Sequence, residues 1–189
     1  QTYKNVEVIV VDDASKDGTE EILNTYKQKY SNFRFAKHKE KRGANAARNL
    51  GIEMAQGKFI IGLDDDDAFY PERIEKLVKG YDVRFSFIAS WTSVTTRHNQ
   101  RKINKIKNIV SIEDYLWNNP GTVFPLILRE KIMSIGCFDE DLTASQDYDM
   151  WIRLVSKFGP AKVIQEPLYE IYANHGQNQI GTSFEAKKN

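Results

Sequence analysis

At 189 residues the chain is long enough for one domain with a sizeable core. Its hydrophobic fraction of 41% and aromatic fraction of 12% exclude a disordered chain. The formal net charge of +1 gives no global field that would call for nucleic acid, and no apolar run approaches a membrane span.

Val6-Glu7-Val8-Ile9-Val10-Val11 is a β-branched run of the kind that forms a strand covered on both faces. It stops at Asp12-Asp13. Asp17-Gly18-Thr19-Glu20 has capping-box spacing, and Ile22, Leu23, Tyr26 and Tyr30 then recur at helical period. Phe33–Ala36 predicts a short strand, and Ala44–Gln56 a helix with Gly57 as its C-terminal cap. Between them lies the basic loop 37–42. Phe59–Leu63 is a short apolar run that ends in four carboxylates, Asp64-Asp65-Asp66-Asp67. The order strand, helix, strand, helix, strand predicts an α/β fold with a mostly parallel, Rossmann-like sheet flanked by helices.

Pro71 opens a helix over Glu72–Lys79, closed by Gly80. Arg84–Thr96 predicts a strand. Arg97–Lys107 holds five basic residues and no acid, and reads as a solvated loop or as a contact for anionic lipid or diphosphate. Ser111–Trp117 predicts a short helix, Thr122–Leu128 a strand, and Arg129–Ile135 a helix ended by Gly136. Ser145 stands as N-cap to a helix over Gln146–Phe158, which Gly159-Pro160 stops. Val163–Tyr172 predicts one or two strands broken at Pro167, and the tail from Asn174 is polar. No repeat or long linker divides the chain. A single domain over 1–189 is expected, with two unequal halves, 1–96 and a smaller, β-containing 97–189.

No leader peptide is legible, and the lone cysteine, Cys137, has no disulfide partner; both suit a reducing cytoplasm. Cys137 reads as a small buried hydrophobe.

The chemistry concentrates at strand ends, where open α/β sheets place their ligand crevice. Two carboxylates ~5 Å apart repel by roughly 3 kcal/mol at an effective dielectric of ~20. Asp64–Asp67 are therefore either a solvated acidic loop or oxygen ligands for a hard divalent cation, Mg²⁺ or Mn²⁺. Asp147 sits in a first helical turn above the stripe formed by Met150, Trp151, Leu154, Val155 and Phe158. It is an ordinary first-turn acid or a general base at a cleft edge. His175 is a surface histidine or, beside a carboxylate-bound metal, an added ligand. No Ser-His-Asp set, zinc spacing or P-loop is present.

Four stretches in order, Val10–Thr19, Ala47–Ile52, Leu63–Asp67 and Gln146–Leu154, closely resemble the family 2 inverting glycosyltransferases of the GT-A fold. The resemblance implies that the first half, 1–96, binds the nucleotide-sugar and the second, 97–189, the acceptor, and that Asp12 and Asp13 hold the uracil and ribose of a UDP-sugar donor. It gives Asp64, with Asp65 beside it, to the donor, and Asp64 and Asp66 to a diphosphate-bound Mn²⁺ or Mg²⁺. Asp147 matches the catalytic base, and His175 a metal ligand of some relatives. The acceptor implied is a glycan or a lipid-linked glycan, with peripheral contact at the inner face of the membrane. Gln146 stands where an acid is usual, which leaves Asp147 as the carboxylate there. Relatives usually begin with a further strand and helix ahead of the Gln1-Thr2-Tyr3 segment, so a truncated uracil site is expected. Two other classes fit parts of the pattern. One is a receiver-type domain with a Mg²⁺ site and a phospho-accepting aspartate. The other is an inactive sugar- or nucleotide-binding module.

Overall fold

The computed structural model describes residues 1–96 and 98–173. The β-branched run forms β1 (Val8–Asp12), which pairs in parallel with β2 (Phe33–Lys37) from Val8 opposite Phe33 to Asp12 opposite Lys37. Helix α1 (Thr19–Lys29) connects them, and α2 (Ala44–Met54) packs back on β1. The next strand, β3, keeps only Phe59–Ile60 of the expected Phe59–Leu63. It pairs antiparallel with β8 (Ile127–Leu128) and is not laddered to β1.

The largest sheet holds β4 (Ala68–Phe69), β5 (Ile88–Thr96), β6 (Arg101–Asn104), β7 (Ile109–Val110) and β9 (Ala161–Ala173). β9 runs parallel to β5 and antiparallel to β4 and β7. The helix-flanked α/β architecture thus carries a mixed sheet, with parallel ladders at β1–β2 and β5–β9. Elements of both halves of the sequence share that sheet. Pro167 does not break β9: it pairs opposite Trp91 at a register shift, the kind of irregularity in which a strand tolerates a residue without an N–H. Part of the basic segment also differs from a loop, since β6 pairs with β5 as a hairpin arm.

Helices α3 (Arg73–Lys79), α4 (Ile112–Trp117), α5 (Arg129–Ser134) and α6 (Gln146–Phe158) complete the order. The stripe on α6 is the spine of the core. Met150, Trp151, Leu154 and Val155 are buried against Phe87, Ala89, Tyr115, Ile132 and Val163. Each such side chain contributes about 1.5–3 kcal/mol on burial. The entry to α6 departs from expectation: Ser145 has φ 58°, in the left-handed region, and its side chain makes no capping bond. At α4 a reciprocal cap does form: Ser111 N–H donates to Asp114 Oδ2 (2.7 Å), and the Ser111 side chain accepts from the Asp114 backbone N–H. No helix among the described residues is long and apolar enough to cross a membrane.

Candidate active site

The chain leaves the β3 ladder at Ile61 and passes close to the Phe124 ring at Gly62. A Cβ there would lie 2.3 Å from Cδ1 of Phe124, so only glycine lets the backbone pass this ring. The acids follow at once. Asp67 N–H donates to the carbonyl of Asp64 (3.2 Å), and this turn gathers carboxylate oxygens of Asp64, Asp66 and Asp67 within 4.8 Å of one another. Asp65 is exposed and outside the group. Asp67 thus joins the Asp64 and Asp66 that the resemblance alone gave to the metal.

Two partners hold Asp67 in place. Tyr169 Oη donates to its Oδ2 (2.8 Å) and the Tyr172 N–H to its Oδ1 (3.3 Å). Burial pushes the Asp67 carboxyl above its ordinary value and the charges of Asp66 and Asp64 push the same way, against the two hydrogen bonds. Three converging carboxylates whose mutual repulsion is already lifting a pKa fit a hard divalent cation with oxygen preference. His175 lies outside the described residues.

At the end of β1, Asp12 is buried, accepts the Ser15 N–H (2.8 Å), and lies 3.4 Å from Lys37 Nζ. Asp13 is committed to the neighbouring loop. It accepts from His38 Nδ1, Arg42 N–H and Gly43 N–H, each at 2.8 Å, and so closes the start of α2. Burial opposes ionisation of both, yet these donors outweigh it and hold both carboxyls below the usual range. Asp13 therefore shapes a wall of the crevice, while Asp12 Oδ2 keeps the Lys37 ion pair and no hydrogen bond among the described residues.

Asp147 stands in the first turn of α6, and its Oδ1 is buried with no hydrogen-bond partner among the described residues. Burial raises its pKa, the Arg48 guanidinium lowers it, and Asp64 raises it. Asp149, two residues on, does other work: it pairs with Arg153 (2.6 Å), which also donates to the Ile135 and Cys137 carbonyls.

Sequence reasoning passed over two arginines. Arg48 of α2 donates from Nη2 to Asp64 Oδ1 (3.0 Å) and lies between the rings of Phe124 (5.2 Å) and Phe138 (5.5 Å). Its neighbours on α2 dock the segment that leads into α6. Asn49 exchanges hydrogen bonds with the Phe138 backbone, and Asn45 donates to the carbonyls of Asp139 (2.7 Å) and Leu142 (3.0 Å). The signal was present, since Arg48 and Asn49 lie inside one of the quoted motifs. Arg73, on α3, is fully buried, and no carboxylate pairs with it among the described residues. It lies between Phe69 and Tyr169 and donates to Ser90 Oγ (2.6 Å) and to the carbonyl of Phe124 (2.8 Å). Burial lowers its pKa to about 9, so it stays charged at neutral pH.

Around α4 the surface changes character. A groove of about 300 Å³ is lined by Lys105, Lys107, Glu113, Trp117 and Asn118, and Trp117 is 85% exposed. The cations of the basic segment are largely engaged. Arg101 binds Ser93 and Tyr70, Lys105 lies over Trp91, and Lys107 pairs with Asp114. Cys137 is buried as expected, with its thiol pKa raised by that burial, so it is unreactive.

Known proteins share this sequence pattern and this fold. A family model described as Glycosyl transferase family 2 matches residues 1–147. An uncharacterized glycosyltransferase of Methanocaldococcus jannaschii is 33% identical over 95% of this chain and 64% of its own length. A putative colanic acid biosynthesis glycosyl transferase of Escherichia coli is 29% identical over 97% of this chain and 67% of its length. Chondroitin synthase of Escherichia coli is 30% identical over 94% of this chain but only 26% of its own. Among solved structures, S. aureus TarS 1–349 in complex with UDP-GlcNAc superposes with a TM-score of 0.78 at 18% identity. It covers 94% of this chain and 52% of that one. The first of the curated relatives are longer, and the chain spans between 26% and 64% of their lengths.

Proposed function

The chain belongs to glycosyl transferase family 2, and from that membership we propose that it transfers a sugar from a UDP-linked donor to an acceptor hydroxyl, with inversion. One observation carries the reading. Three converging carboxylates follow β3, one of them, Asp64, bonded to the Arg48 guanidinium, and Asp147 on α6 keeps a buried oxygen without a hydrogen-bond partner among the described residues. Membership in this family sets aside the receiver-type reading.

In this scheme Asp64, Asp66 and Asp67 hold a divalent cation, which when bound supplies charge stabilisation to the departing diphosphate. Mn²⁺ and Mg²⁺ both suit such ligands. Asp12, with Asp13 shaping the wall, receives the nucleoside, and Asp64 also faces the donor. Asp147 Oδ1, buried and without a bonded partner, accepts the proton of the acceptor hydroxyl as its oxygen attacks the anomeric carbon. Burial is the physical preparation for that role, because a raised pKa makes a carboxylate a better base. Asp65, outside the cluster, belongs with the donor rather than the cation, and His175 lies outside the described residues.

For the acceptor, the Trp117 groove supports a glycan. An exposed indole offers a face to sugar C–H groups, with Glu113 and Asn118 beside it for hydroxyls. A lipid-linked acceptor, and with it a position at the inner face of the membrane, draws less support, because the cations of residues 101–107 are mostly paired within the protein. The lone buried thiol suits the cytoplasm.

Calorimetry with UDP, Mn²⁺ and a chelator, followed by a nucleotide-sugar hydrolysis screen, tests the reading. UDP binding should require the cation, and one UDP-sugar should be turned over. Equal UDP affinity with and without metal would remove the cluster from its role. Metal-dependent UDP binding with no turnover of any donor would favour the inactive binding module.

A further inference from the structure

Packing alone gives no reason for a cation at position 73. Arg73 opens α3 shortly after Asp67 and Phe69, is fully buried, and has no carboxylate beside it among the described residues. Loss of hydration opposes such burial strongly, and an apolar side chain of similar volume is often tolerated as well or better. Hydrogen bonds offset part of that penalty. Nη1 donates to Ser90 Oγ (2.6 Å), and Nη2 to the carbonyls of Phe124 (2.8 Å) and Val123 (3.3 Å). Nε is buried and has no hydrogen-bond partner among the described residues.

The groups that Arg73 touches lead to the acidic loop by two routes. Its guanidinium lies between the rings of Phe69 (4.8 Å) and Tyr169 (4.9 Å), and Tyr169 Oη donates to Asp67 Oδ2 (2.8 Å). Its Nη2 fixes the backbone at Phe124, where φ is 33°, a left-handed conformation that a residue with a side chain keeps only when its surroundings enforce it. The Phe124 ring so placed crowds Gly62, just before Asp64, and lies 5.2 Å from the Arg48 guanidinium. Arg48 in turn donates to Asp64 Oδ1 (3.0 Å). The Phe124 and Tyr169 rings also stack on each other, with centroids 6.3 Å apart. One buried cation therefore stands behind the supports of both Asp67 and Asp64.

We propose that Arg73 is a positioning residue for the acidic loop, holding Tyr169 and Phe124 where they keep Asp67 and Asp64 converged. The inference rests on the proposed cation site for its use, while one arm of its test needs no metal. A guanidinium suits the task because it stacks through its faces and donates through its edge, and a lysine ammonium, a point charge on a flexible stem, does not combine the two.

Arg73→Met removes the charge and keeps much of the bulk, and Arg73→Met combined with Ser90→Ala also removes one acceptor left unmatched. Both should fold, because the buried charge itself opposes folding. Mn²⁺ affinity of the folded variants, measured by calorimetry, should fall roughly 10–100-fold, and that of Arg73→Lys should lie between variant and parent. Without metal, NMR hydrogen exchange at the Asp67 and Tyr172 N–H groups, which bond to the Asp64 carbonyl and to Asp67 Oδ1, should quicken while exchange in α6 keeps the parent rate. A folded Arg73→Met protein that binds Mn²⁺ as the parent does overturns the proposal. Faster exchange spread evenly over the domain, α6 included, marks a residue of stability alone and overturns it too. If Arg73→Met fails to fold, the double variant and Arg73→Lys are judged on the same two readouts. Should the parent itself bind no Mn²⁺, the cation site fails and exchange decides: quickening confined to Asp67 and Tyr172 upholds the positioning role, and its absence ends it.

Discussion

Tyr169 Oη donates a 2.8 Å hydrogen bond to Asp67 Oδ2 across 102 positions of sequence. The Tyr169 ring is fully buried against Phe69 and Phe124, so Tyr169→Phe removes the donor and keeps the packing. Burial already lifts the Asp67 pKa and this bond opposes the lift, so the variant's carboxyl should titrate at higher pH. Mn²⁺ affinity should fall roughly 10–100-fold, as for other lost supports of a ligand carboxylate. Calorimetry at several pH values checks this: the deficit should widen toward acid pH, where protons compete for Asp67.

Asp147→Asn should lower the transfer rate by roughly 10²–10⁴-fold, the usual worth of a positioned base. UDP and Mn²⁺ binding should stay near the parent values, since Asp147 is not among the converging carboxylates. Asp149→Asn is the control. It loses an i,i+4 pair with Arg153, worth about 0.3–0.5 kcal/mol, and should melt slightly earlier while keeping its rate.

Gly62→Ala forces a methyl to within 2.3 Å of the Phe124 ring, which must move. Overpacking of this kind costs about 1–3 kcal/mol. Because that ring also flanks Arg48, rate and stability should fall together. Adding Phe124→Leu should recover part of the stability but not the rate, and a double-mutant cycle measured by denaturation and transfer assay separates the two.

Asp13→Ala removes the acceptor for three donors of the 38–43 loop and should cost about 2 kcal/mol or more at neutral pH. Its folded pKa is depressed, so the Asp13 contribution is present above the unfolded value of 3.8 and is lost as pH falls through the folded one. The difference in melting between parent and variant should therefore shrink below that pH.

Much of this was legible in the chain because local rules and burial agree. The β-branched run became β1, the Met150-Trp151-Leu154-Val155 spacing became the buried face of α6, and the strand-end acids do converge. The misses share a cause, which is side chains from distant residues taking backbone groups that a strand would have used. Thr122–Leu128 reads as a strand, but Arg73 captures the carbonyls of Val123 and Phe124, Phe124 sits at φ 33°, and pairing begins only at Leu126, which bridges Ile88 ahead of the Ile127–Leu128 ladder. The α2 helix stops at Met54 rather than running to Gln56, because Glu7 takes the N–H groups of Gln56 (2.7 Å) and Gly57 (2.6 Å). Which acids of the Asp64–Asp67 run converge was not legible, since the place of Asp67 depends on Tyr169 and Tyr172 and no spacing rule reaches that far.

The strand that holds Asp67 is also the last one described in the chain. Asp64, Asp66 and Asp67 are made early, yet Tyr169 and Tyr172 reach them only after β9 has found its place beside β5 and β4. Such long-range pairing is slow, because the chain must close a large loop before the contact rewards it. Cation affinity should therefore arise late in refolding, together with burial of the α6 core rather than with the first helices. A divalent ion added during refolding would report completion of the domain and would give little head start to its beginning.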